Sequence, residues 1–193
     1  MATGSLDANG IWQYGEDDSN TTFSALLNRL GSSTSTQIAS AKPSGRIIQT
    51  VSTTKTDSFS FTAGSGWVSV TGLKATITPR FNTSKILVLL NIGVMGINQT
   101  NEVINMNLRR NSVDVGTSTG RTFNTSGITA YNNGVNYLVY SYGLNFRDSP
   151  ATTSAITYDL AVSTTGGTAY INRWPINADR GGISTITLLE VAA

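Results

Sequence analysis

Few side chains in this sequence could carry chemistry. Asp114, Asp148, Asp159, Asp179 and Glu190 are carboxylates of the kind that pair as acid and base in sugar cleavage. Nothing in their spacing singles out a pair, and Asp148 stands before Ser149-Pro150, where a turn role is expected. Asp17-Asp18-Ser19-Asn20 offers oxygens for a calcium ion but lacks the spaced ligands and turn glycine of a loop site, so it reads as a solvated turn or a charge at a helix N-terminus. The chain has 0 Cys and 0 His, which removes thiol nucleophiles, disulfides, imidazole acid–base work and the usual soft metal ligands. The expectation is a protein without catalytic residues, cofactor or metal, with a polysaccharide-degrading enzyme as the minor alternative.

Binding chemistry is better represented. Arg173, Trp174, Asn177 and Arg180 fall in a loop between the last two strands, where guanidinium and indole groups suit a glycan or protein surface. Trp174 is expected to be exposed there. Tyr140 and Tyr142 alternate with small residues, which points to packing instead. Two further loops, Asn98–Glu102 and Thr117–Asn133, are also rich in contact-capable side chains.

The elements that would position these residues follow from the hydrophobic pattern. Residues 1–45 form one part and 46–193 another, divided at Lys42-Pro43-Ser44-Gly45. The first part is expected to be an extended anchor without strands. It carries an apolar patch at Ile11, Trp12 and Tyr14, and Phe23, Leu26, Leu27 and Leu30 at the spacing of one helical face. Gly31 is expected to stop that helix. So short a helix must cover its stripe with a partner, either its own chain or a neighbour.

From Arg46 onward the pattern is strand. Lys85 to Met95 is apolar enough to be a central strand covered on both faces, and Tyr137–Phe146 and Ile156–Val162 alternate strictly. Gly166-Gly167 reads as a hairpin tip. The fold class is all-β, a β-sandwich of jelly-roll type, preceded by the anchor with its one short helix.

Charged residues are only 12% of the chain and the formal net charge is +2, with no basic cluster larger than Arg109-Arg110. No nucleic-acid footprint is visible. Ile86 to Met95 is too short to span a bilayer and is broken by Asn91 and Gly93, so no membrane insertion is expected. Residues 1–7 lack the basic start and apolar run of a signal peptide, which points to synthesis in a cytoplasm.

Two sets of phrases resemble a known group of proteins. Leu6-Asp7-Ala8-Asn9-Gly10-Ile11-Trp12, Tyr14, Glu16-Asp17-Asp18 and Phe23 to Leu30 resemble the N-termini of small structural proteins of tailed phages. Ile47 to Val51, Val70-Thr71-Gly72-Leu73, Ile77-Thr78-Pro79, Thr83 to Val88, Asp148 to Thr153 and Gly181 to Val191 resemble a β domain of phage fibre and other virion proteins. The resemblance implies a homotrimeric virion component of a bacteriophage with a knob domain. It would be a tail fibre or minor tail protein serving host attachment, or alternatively a capsid decoration protein. It further implies that residues 1–45 bind other virion proteins and that the knob meets a host surface glycan or protein.

Overall fold

The computed structural model describes residues 4–6, 12–14, 30–32, 34, 44–117, 127–128 and 139–193. The chain forms two compact units, Met1–Pro43 and Ser44–Ala193.

The N-terminal unit departs from the expectation of a strandless anchor. Strand β1 (Gly4–Leu6) pairs antiparallel with β2 (Trp12–Tyr14), in register Leu6 to Trp12. Leu30–Ser32 and Thr34 are helical, so Gly31 lies within the helix and does not end it. The Thr34 hydroxyl donates to the Leu30 carbonyl at 2.8 Å, the bond to the residue four positions back that Ser and Thr make inside a helical turn. Leu30 is exposed. Ile11, Phe23, Leu26 and Leu27 lie outside the described residues.

The second unit is an all-β sandwich of jelly-roll type. Its strands are β3 (Ile47–Lys55), β4 (Phe59–Thr62), β5 (Val68–Ile77), β6 (Lys85–Ile97), β7 (Ile104–Arg110), β8 (Val113–Val115), β9 (Gly127–Ile128), β10 (Val139–Asp148), β11 (Ile156–Thr164), β12 (Thr168–Ile171), β13 (Arg173–Trp174), β14 (Asn177–Gly181) and β15 (Ser184–Val191). The first sheet runs β3-β15-β6-β12-β4 with β10 also on β6, and the second runs β5-β11-β7-β8 with β9 also on β7.

Alternation builds the core. Ile86, Val88, Leu90, Ile92, Ile186 and Leu188 from the first sheet face Leu73, Ile77, Leu108, Tyr158, Leu160 and Val162 from the second, all buried. Each such side chain removed from water contributes about 1.5–3 kcal/mol before the entropy of ordering is counted. One cluster of polar groups joins the two sheets. Asp148, at the end of β10, accepts from Arg110 Nη1 at 2.6 Å, from the Tyr158 hydroxyl at 2.6 Å and from the Ser149 amide at 2.7 Å. The carboxylate assigned to a turn therefore does turn work through Ser149 but also ties β7, β10 and β11 together.

Two expectations need correction. Gly166-Gly167 is a crossing between sheets and not a hairpin tip, because β11 and β12 lie in different sheets. The outward residues Leu87 and Leu89 of β6 are half-buried, so that strand is central but its outer face is not fully covered. The tight hairpin sits elsewhere: Asn111 and Ser112 link β7 to β8 with φ of 49° and 67°, the two left-handed residues a type I′ turn requires.

Candidate functional site

Strand β6 organises the region that holds the loop residues. One of its edges pairs with β10 from Ile86 to Gly96. Its other edge is shared end to end by β15, along Lys85–Ile92, and β12, along Met95–Ile97. Both are antiparallel to β6, so β12 and β15 lie on one line and run the same way. Residues 172–183 leave that line and return to it. The excursion is the β13–β14 hairpin, with Arg173 opposite Gly181 and Trp174 opposite Asn177. What the sequence presents as a loop is thus a small ribbon inserted into a strand.

A bulge in β6 marks the gap. Tyr140 pairs with Met95 and Tyr142 with Ile92, so Gly93 and Val94 together oppose Ser141. A side chain at Gly93 would sit 2.3 Å from the Ile183 carbonyl oxygen, so only glycine lets the returning strand approach.

Asn172 closes the neck of the excursion. It is buried, with φ of 60°, a conformation that Asn tolerates better than most residues. Its amide donates to the Val94 carbonyl at 2.7 Å, and its own carbonyl accepts from Gly182 at 3.4 Å. Its side-chain Nδ2 donates to the Lys55 and Asp57 carbonyls at 2.8 and 3.3 Å, while Oδ1 accepts from the Ser184 hydroxyl at 2.6 Å. Every polar group of the residue has a partner, and these come from β3, the turn after it, β6, Gly182 just past β14, and β15. Gly181 is required beside it, since a Cβ there would lie 2.2 Å from the Asn172 oxygen.

The hairpin holds its guanidinium groups against aromatic rings. Arg173 lies over Tyr170 at 4.6 Å, and Arg180 over Trp174 at 5.2 Å from the ring centroid, distances at which a cation is drawn to the ring face. Pro175 is buried and pins the tip. Asn177 Oδ1 accepts from the Asp179 amide at 2.8 Å, so that side chain shapes the bend instead of reaching outward. Trp174 is half-buried, which corrects the expectation of an exposed indole; Arg180 is exposed. Val94, Val139, Trp174, Arg180 and Gly181 line an open depression of about 270 Å³. The structure therefore brings Arg173, Trp174, Asn177 and Arg180 onto one hairpin, with Trp174 and Arg180 facing one hollow. Val94, Val139 and Asn172 went unread in the sequence, because their roles depend on partners far along the chain.

The other candidate residues have different settings. Loop Asn98–Glu102 is tied inward: Asn98 Oδ1 accepts from the Thr168 amide at 2.8 Å, and Glu102 accepts from the Thr165 hydroxyl at 2.5 Å. Of loop Thr117–Asn133, only Thr117, Gly127 and Ile128 are among the described residues. Asp114 binds Arg109 and Asn107, Asp159 accepts from Ser69 at 2.7 Å, and buried Glu190 accepts from the Arg80 amide at 2.7 Å. These carboxylates each have their own donors. Among the described residues no group of three Asp or Glu could hold a metal ion.

No family model matches the chain, and no curated protein does. Solved structures similar to it include one of the infectious bursal disease virus Gt strain, at 18% identity and TM-score 0.40, covering 78% of this chain and 39% of that one. Another is a VP2 subviral particle of infectious bursal disease virus, at 15% identity and TM-score 0.35, covering 76% and 38%. The chain thus spans about two fifths of the length of those proteins.

Proposed function

We propose that this chain is a non-enzymatic structural protein of a tailed-bacteriophage virion, a tail-associated knob that contributes to host attachment. The observation that carries the reading is the inserted hairpin. A strand line is interrupted, and the break is braced by Asn172 and by glycines that admit close backbone contact. Those are costs a purely structural strand does not need to bear. What the excursion presents is a ring and two guanidinium groups, residues that dominate recognition surfaces. In this reading residues 1–45, including Trp12, Tyr14 and Leu30, bind other virion proteins.

The same reading makes the protein a homotrimer. The opposite end of the outer face of the first sheet is apolar, formed by Ile47, Leu87, Leu89, Leu189 and Val191 on three adjacent strands. Ile47 is 58% exposed. Lys85 and Arg147 flank this patch, and no acid faces outward beside them among the described residues of those strands. Two-fold packing of the patch on itself would oppose like charges. A ring contact, which joins it to a different surface of the next copy, avoids that.

That apolar patch also favours a second reading, a capsid decoration protein seated flat on a shell. A particle density map separates the two. Density at the tail or baseplate supports the attachment knob, and density on the head lattice replaces it with decoration.

A further inference from the structure

We propose that the depression beside the β13–β14 hairpin is a subsite for a saccharide bearing an anionic group, its ring lying on Trp174, Val94 and Val139 and its anion held by Arg180. The inference rests on the attachment reading and names the ligand class it would take.

Three observations converge on that chemistry. The hollow of about 270 Å³ is lined by Val94, Val139, the Trp174 ring and the Gly181 backbone, with Arg180 as its one charged side chain. A sugar ring presents axial C–H groups to such a floor, while its polar edge needs a hydrogen-bonding group at the rim. Arg180 supplies that group. It is exposed and stands 5.2 Å from the Trp174 centroid, and it makes no ion pair among the described residues. A guanidinium fork in that state matches the paired oxygens of a carboxylate or phosphate.

The second observation is local charge. Arg173 is likewise without an ion pair among the described residues, and its Nε is buried without a hydrogen-bond partner. Two guanidinium groups at one hairpin, with Asp179 as the only acid on it, leave the ribbon positive. That field favours an anionic ligand over a neutral one.

The third is rigidity. The fully bonded Asn172 neck and the buried Pro175 fix the hairpin at both ends. Little ordering is then required when a ligand binds, which suits the small contact area of one sugar.

The test is calorimetric titration of the full-length protein with four probes: a glucuronate oligosaccharide, its carboxyl-reduced neutral counterpart, a sugar phosphate and inorganic phosphate. The expected result is binding of the uronate, the sugar phosphate or both. That binding should be at least tenfold tighter than for the neutral sugar and for inorganic phosphate, and weaker as salt rises. Arg180→Gln, at an exposed position, should reduce it at least tenfold, and Trp174→Phe should retain most of it. Preference between the uronate and the sugar phosphate identifies the source of the anion. Equal binding of neutral and acidic sugars, inorganic phosphate binding as well as the sugars, or an unaffected Arg180→Gln variant overturns the proposal. Adsorption of particles carrying Arg180→Gln keeps the two readings apart. If the saccharide binds as described but adsorption is unchanged, the attachment reading fails and the subsite stands. If adsorption falls while no saccharide binds, the hairpin grips a protein and the subsite is overturned.

Discussion

The outer face of the first sheet has two unlike ends. At the β12 end, Tyr170, Arg173, Trp174 and Arg180 interleave rings and cations above a neck held by a buried neutral amide, Asn172. At the other end Leu87, Leu89, Leu189 and Val191 make an aliphatic surface, and the buried polar groups nearby are carboxylates, Glu190 and Asp148. The first end spends backbone irregularity to project side chains, while the second keeps a regular ladder and stays flat. A projecting, polar and stacked surface suits recognition that must be specific and reversible. A flat aliphatic one suits a contact that forms once. The difference teaches that one sheet can serve both purposes if its central strand is long enough to border two partners.

The largest expected effect lies at the flat end. On the trimer proposal the parent should scatter as three times 20.4 kDa, and Leu189→Asp should abolish association and leave the single chain, with any glycan binding intact. A trimer unaffected by this charge would put the subunit contact elsewhere. Next comes the neck. Asn172→Ala leaves the Lys55 carbonyl and the Ser184 hydroxyl short of a partner and places alanine at φ of 60°. It should cost about 3 kcal/mol, roughly 6–12 °C in melting temperature for a domain of this size, and should lower hairpin binding without dissolving the trimer.

The clamp at the flat end is sensitive to base. Burial, and then the hydrogen bond to Asp148, push the Tyr158 phenol above its ordinary value of 10.0. The fold thus favours the protonated phenol, so the stability it brings is complete below that ordinary value and is lost as pH climbs above it. Tyr158→Phe should flatten the alkaline side of the stability curve; if the curve keeps its slope, another group controls it. Trp174→Ala should be smaller in stability, about 1–2 kcal/mol for a half-buried indole, yet larger in adsorption than any change at the flat end. The smallest effect is expected from removing residues 1–43. Residues 44–193 should melt within a few degrees of the full chain. That boundary keeps the Gly45 amide, which donates to the Ala192 carbonyl at 2.7 Å, a bond that a start at Arg46 would lose.

The legibility of this molecule follows the range of its contacts. Ile86, Val88, Leu90 and Ile92, like Tyr158, Leu160 and Val162, declare their buried face by simple alternation, because a strand's period is local. Arg173 and Trp174 were legible as loop residues rich in contact chemistry. Asn172 was not, since its bonds reach 117 and 115 positions back along the chain. Gly93 and Gly181 likewise look like ordinary glycines until the backbone they admit is known. Gly166-Gly167 misled for a related reason. Two glycines announce a change of direction, but they do not say which sheet the next strand will join.

The collinearity of β12 and β15 also bears on how such a protein can diverge. Because the strand line resumes beyond Ile183 in its original direction, the register of β15 against β6 does not depend on what intervenes between Asn172 and Gly181. Lineages are then free to lengthen, shorten or exchange the ribbon while leaving the neck untouched. Change in the ribbon and constancy of the sheet become separable at the neck, where Asn172, Gly181 and Gly182 meet. A family built this way would show its highest sequence turnover beside some of its most invariant positions.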